Sequence, residues 1–228
     1  MIVFRILKFF GKVILYFLVS SIAIVVVYKF VPPPITPIMI IRQFEGWFEG
    51  KNIGIRKEWV PYEKISKNVF RAVVSAEDAR FMFHKGFDWE AIKAARRYNE
   101  LRKGQKLRGA STISMQTAKN AFLWHGRNYV RKALEAYFTV LIEYIWGKKR
   151  IIEVYVNIIE FGEGIYGVQA AAEVFFHKNA SELTQRESAL LAAVLPNPRR
   201  WSPIAPTPYI EKRVAFIQGR MNSVVIPK

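Results

Sequence analysis

The apolar residues of this 228-residue chain fall into two patterns. No residue from Val13 to Tyr28 is charged, and Phe9 and Phe10 extend that run toward the N-terminus. Beyond Pro61 the apolar positions recur at helical spacing instead. Val69, Val73 and Ala76 mark one face, and Leu134, Phe138, Leu141 and Ile145 mark another. Helix starts are signposted: Asp88 is placed to cap a helix running toward Tyr98, and Thr184 to Glu187 form a capping box ahead of Leu190, Leu191 and Val194. Pro196 ends that helix, because proline cannot continue the hydrogen-bond ladder. Gly162, Gly164 and Gly167 predict a turn. No Val, Ile or Thr run alternates cleanly between turn signals, and short strands are expected only near Asn52 to Tyr62. Phe122, Leu123 and Trp124 are assigned to core. The predicted fold class is mainly α, without internal repeats.

The uncharged run has its own meaning. A membrane span needs about 20 apolar residues, with a lower limit of roughly 17, and this stretch is long enough once Phe9 and Phe10 are included. Lys12 and Lys29 flank it and can snorkel to the interface. A cleaved signal peptide would continue into small residues, whereas Tyr28-Lys29-Phe30-Val31 leads into Pro32, Pro33 and Pro34. A retained anchor is therefore expected. Arg5, Lys8 and Lys12 should hold the N-terminus in the cytoplasm, with the domain outside. The expected organisation is a basic tail over 1–12, a transmembrane helix over 13–31, a proline-stiffened membrane-proximal linker over 32–58 and one domain over 59–228.

Charge and composition narrow the chemistry. Lys and Arg total 35 against 18 Asp and Glu, a net charge of +17. Such a field suits anionic lipid, phosphorylated substrates or nucleic acid. The absence of cysteine excludes a disulfide scaffold, a thiolate metal site and a cysteine nucleophile. With three histidines, none paired at helical spacing, a histidine metal site is not expected.

Four segments carry candidate chemistry. Glu77 and Asp78 follow the apolar face of Val73, Val74 and Ala76, surroundings that bring a carboxyl group toward general-base duty. A solvated acidic pair at a helix end fits the same spacing. Ser111 or Thr112 can cap a helix, and steps of four and three from Thr112 place Gln116 and Lys119 on one face. An ordinary surface helix fits that spacing as well. Arg131 and Glu135 stand at i, i+4, which also suits a helix salt bridge. Glu153, Tyr155 and Asn157 sit among Ile and Val and read as a satisfied buried polar cluster.

Taken together, these segments resemble glycosyltransferase family 51, the peptidoglycan glycosyltransferases. Glu77, Asp78, Phe81, His84 and Gly86 match E-D-x-x-F-x-x-H-x-G. The run from Gly109 to Asn120 matches G-x-S-T-I-x-x-Q-x-x-K-N, Arg131 to Glu135 matches R-K-x-x-E, and Ile151 to Asn157 matches I-x-E-x-Y-x-N. All four occur in the family's order, and the resemblance spans about Trp59 to Pro198.

The resemblance implies a lysozyme-like helical domain with a small membrane-facing subdomain. It implies polymerisation of lipid II into β-1,4-linked glycan with release of undecaprenyl diphosphate. By motif position Glu77 is the base and Glu135 the second acidic residue. Lys119 and Arg131, then Arg80 and Lys132, are the candidate diphosphate clamp. Ser111, Thr112, Gln116 and Asn120 shape the donor site, while Asp78, His84, Glu153, Tyr155 and Asn157 support the motifs. A divalent cation, Mg²⁺ or Mn²⁺, is an optional aid to the diphosphate, and no firm metal site is expected. The implied partners are lipid II, the growing lipid-linked strand and the membrane; nucleic acid is not expected. No Ser-x-x-Lys occurs, so acyl transfer and penicillin binding are not expected. The competing functions are a lytic transglycosylase or lysozyme-like hydrolase, a basic membrane-anchored binding module, and an inactive scaffold.

Overall fold

The computed structural model describes residues 2–102, 109–126 and 128–228, with side chains from residue 4 onward. Among these residues the chain forms ten α-helices and one three-stranded sheet. The helices are α1 (Ile2–Phe30), α2 (Pro37–Phe48), α3 (Lys67–Glu77), α4 (Trp89–Leu101) and α5 (Ile113–Phe122). They continue with α6 (Tyr129–Ile145), α7 (Gly147–Ile158), α8 (Val168–Phe176), α9 (Gln185–Val194) and α10 (Pro208–Met221). The strands are β1 (Arg56–Lys57), β2 (Glu160–Gly162) and β3 (Ile165–Tyr166). The mainly helical class agrees with the sequence pattern, and β1 falls inside the segment where a short strand was expected.

Helix α1 is 29 residues long and starts ahead of the uncharged run. It is long and apolar enough to cross a membrane, and most of its apolar side chains are exposed. Its C-terminal half is docked against the rest of the protein. Phe17 lies beside Tyr137, Ser21 reaches the Tyr137 hydroxyl, and Val25 offers its carbonyl to the Trp146 indole at 2.7 Å. Arg150 donates to the Tyr28 and Val31 carbonyls, capping a helix end whose acceptors have no partner within the helix. The segment expected as a linker contains α2, capped by Thr36 with Pro37 at its first position. Met39 of α2 is fully buried, while Ile40, Phe44, Trp47 and Phe48 face outward.

One hydrophobic core joins the helices, with Phe70, Phe81, Ile113, Ile151, Ile152, Phe161 and Leu191 at its centre. Helices α3, α9 and α10 pack together, and α5 lies against both α6 and α7. Local chemistry sets each start. Ser66, Asp88, Thr112, Asn128, Thr184 and Thr207 all accept a backbone N–H from the first turn that follows them. The glycine-rich turn is the β2–β3 hairpin, and β1 runs parallel to β3 on its other side. Gly167 then starts α8 at φ +83°, where a Cβ would stand 2.7 Å from the Asn157 carbonyl oxygen. Leu123 is buried and Phe122 is stacked in the core, but Trp124 is 40% exposed, because α5 ends at Phe122 and the chain turns outward.

Candidate active site

Helix α3 ends at Glu77, with Val73 and Val74 buried beneath it. Burial pushes the Glu77 carboxyl above the usual carboxylate range; a hydrogen bond from Gln116 and the charges of Arg213 and Lys119 oppose that rise. The Gln116 amide donates to Glu77 Oε2 at 2.9 Å, and the Tyr155 hydroxyl donates to Gln116 Oε1 at 3.0 Å. Three of the four motifs thus meet in one chain of hydrogen bonds. Tyr155, expected as structural support, bears directly on the partner of Glu77.

Asp78 locks the first motif to the second. It accepts from the backbone N–H of Ile113 at 3.0 Å and lies 3.0 Å from His84 Nε2. A carboxylate at the N-terminus of α5 also meets the positive end of that helix. Thr112 caps α5 and donates to the Gly86 carbonyl at 2.6 Å, so the loop after Asp78 is tied at both ends. These contacts join the loop after α3 to the start of α5.

One turn beyond Gln116, Lys119 presents its ammonium without an ion-pair partner among the described residues. Burial depresses its pKa, and the like charges of Arg131 and Lys132 act in the same direction; Glu135 and Glu77 oppose them. Helix α6 supplies the neighbouring charges. Arg131 Nη1 donates to Glu135 Oε2 at 2.8 Å and Lys132 Nζ to Glu135 Oε1 at 2.5 Å. Arg131 and Glu135 are both buried, so this is not the exposed helix pair that the spacing alone allows. Arg131 Nε remains buried with no protein acceptor.

The hydrogen-bonded Glu77 and Gln116 each line a different hollow. A cleft of about 440 Å³ is lined by Glu77, Asp78, Arg80, Ser111, Thr112, Phe216 and Arg220, among others. A cavity of about 150 Å³ is lined by Gln116, Lys119, Asn120, His125 and Tyr155, among others. Arg80 lines the cleft, pairs with Glu90 and lies 3.8 Å from Asp88. Glu153 and Asn157 lie outside both hollows. Asn157 exchanges two 2.9 Å hydrogen bonds with the Val60 backbone, and Glu153 accepts from Tyr62 N at 3.0 Å. They pin the chain before α3 onto α7.

Sequence reasoning missed Arg213, Phe216 and Arg220, which α10 brings to the Glu77 side. It also missed Glu143, which accepts from Ser114 at 2.5 Å and from Lys148 at 2.6 Å beneath α5. Arg213 and Arg220 stand in a helix full of charged residues, and nothing in their spacing separates them from solvated ones. Among the described residues no group of three His, Asp or Glu side chains is arranged to hold a metal ion.

Comparison with known proteins identifies the family. The sequence pattern of the family described as Transglycosylase matches residues 49–222. A biosynthetic peptidoglycan transglycosylase of Caulobacter vibrioides is 53% identical over 201 residues, covering 88% of this chain and 84% of the relative. Proteins of the same name from Bdellovibrio bacteriovorus and Pseudomonas syringae pv. tomato are 49% and 48% identical. They cover 97% and 96% of this chain, and 87% and 92% of their own lengths. The chain belongs to the transglycosylase family.

Proposed function

We propose that this protein is a peptidoglycan glycosyltransferase of cell-wall synthesis that polymerises lipid II, with Glu77 as base and Lys119 and Arg131 as the diphosphate clamp. The observation that carries this reading is a buried carboxylate, Glu77, held by Gln116, together with the buried ammonium of Lys119 one turn further along α5, which has no ion-pair partner among the described residues.

The chemistry sets two requirements. The 4-hydroxyl of the acceptor sugar is a weak nucleophile, and its proton must be taken as it attacks the anomeric carbon of the donor. Glu77, held by Gln116 and with proton affinity raised by burial, suits that task. The C–O bond to the diphosphate breaks as the new glycosidic bond forms on the opposite face, so the donor's α linkage becomes β. The leaving diphosphate is an anion and gains from cations already in place where its charge grows. Lys119 and the fork of Arg131 supply them, and Glu135 orients the two basic residues of α6. A divalent ion, where one takes part, would enter as the counter-ion of the diphosphate and supply further charge neutralisation. Asn120, Ser111 and Thr112 shape the walls around the donor.

The apolar α1 fits an anchor in the cell envelope, with the N-terminus inside and the catalytic domain outside. Both substrates are held in the same membrane by polyprenyl tails. Tethering the enzyme there raises the effective concentration of each.

The test is to supply labelled lipid II to the detergent-solubilised chain and to Glu77→Gln, resolving products by size. Polymer from the native chain alone supports both the reaction and the base. Polymer from the folded variant moves the base elsewhere, and no polymer from the native chain across salt, detergent and divalent ions overturns the reading.

A further inference from the structure

We propose that α1 is a working part of the cation clamp: its docked stripe sets the spacing of the two helices that carry Lys119 and Arg131. The proposal rests on the polymerase reading and goes beyond a tether, for which any apolar helix of the right length would serve.

The stripe is narrow. Phe17, Ser21, Val25 and Tyr28 follow one another at steps of four, four and three, so they share one face of α1. Ser21 and Val25 are buried, whereas the neighbouring Ser20 is exposed. Ser21 Oγ and the Tyr137 hydroxyl are 2.8 Å apart, and the Phe17 and Tyr137 rings lie at 5.7 Å. Tyr137 is two residues beyond Glu135 on α6. At the other end Tyr28 stacks on Phe122 at 5.9 Å, and Phe122 stacks on Phe138 at 4.6 Å. Phe122 is three residues beyond Lys119 on α5. The three rings therefore run from α1 through α5 to α6, and the anchor supplies the outermost one.

A small residue at position 21 is what lets α1 approach α6 closely enough for this hydrogen bond. A leucine there would meet the Tyr137 side chain. The gap would open on the helix that holds Arg131 against Glu135, while insertion into the membrane would improve slightly. Ser20 gives the matched control, since the same substitution one position away points from the contact.

The experiment uses the full chain in lipid vesicles at equal surface density, comparing native protein, Ser20→Leu and Ser21→Leu. Lipid II turnover is measured across substrate concentration. A photoreactive benzoylphenylalanine replacing Phe17 reports docking by its cross-link to the peptide containing Tyr137. Ser21→Leu is expected to lower kcat about three- to tenfold, the range of one interhelical hydrogen bond, with KM little changed and the cross-link lost. Ser20→Leu should match native protein in both readouts. Equal turnover by the two variants, or no cross-link in native protein, overturns the proposal. A native chain that cross-links but makes no polymer sinks the polymerase reading instead, and this proposal with it.

Discussion

Replacing Gln116 by Met keeps the side-chain length and removes both hydrogen bonds that join Tyr155 to Glu77. The bond Gln116 gives to the Glu77 carboxylate stabilises only the ionised form to that extent. A hydrogen bond to a charged group contributes about 1.5–3 kcal/mol, which corresponds to roughly ten- to hundredfold in the ionisation equilibrium. Burial already works against ionisation at this site, and Arg213 and Lys119 are the remaining opposing charges. The variant should therefore hold Glu77 protonated to higher pH. The assay is kcat/KM for lipid II across pH. The acidic limb should move to higher pH, and the rate at its old midpoint should fall by about five- to fiftyfold, since only half the carboxylate was ionised there to begin with. Losing the acceptor for a fully buried Tyr155 hydroxyl should also cost about 1–3 kcal/mol of stability, visible as a lower melting temperature. An activity loss of equal size at every pH, with the limb unmoved, would refute the reasoning and leave Gln116 as a donor-binding residue only.

In the native protein, kcat/KM should be bell-shaped. It should fall at low pH through a Glu77 pKa above the ordinary carboxylate range, and at high pH through a Lys119 pKa below the ordinary ammonium range. A rate that rises as pH falls through the Glu77 transition would mark Glu77 as an acid, as a hydrolase needs. Glu135→Gln leaves buried Arg131 without its counter-charge and should cost about 3–5 kcal/mol of stability in a thermal melt, whereas an unchanged melt would mean that solvent already satisfies Arg131. Tyr155→Phe removes the donor to Gln116 but no bond to the carboxylate, so its acidic limb should shift less than that of Gln116→Met. Gly167→Ala combines a positive φ with a Cβ 2.7 Å from the Asn157 oxygen and should destabilise by more than about 1 kcal/mol, checked by denaturant midpoint.

Much of this molecule is legible along the chain. The uncharged run at the N-terminus, the helical faces beyond Pro61, the Asp88 and Thr184 caps and the hairpin glycines are local signals. They depend on spacings of three and four residues or on one residue's φ, and the sequence states them directly. Glu77, Lys119, Arg131 and Glu135 were named by the resemblance of their motifs to a known family, because their spacings alone equally suit solvated or salt-bridged positions. What tertiary structure decided is which of these face each other. Gln116 meets Glu77 and Tyr155 across 39 residues in each direction, and Ser21 meets Tyr137 across 116. No periodicity encodes such contacts, because they depend on how helices cross and which face each buries. The same holds for Arg213, Phe216 and Arg220. On α10 they look like ordinary residues of a charged helix, and only its packing against α3 and α9 turns them toward Glu77. The resemblance named the carboxylate and the cations; packing decided that Gln116 would hold that carboxylate.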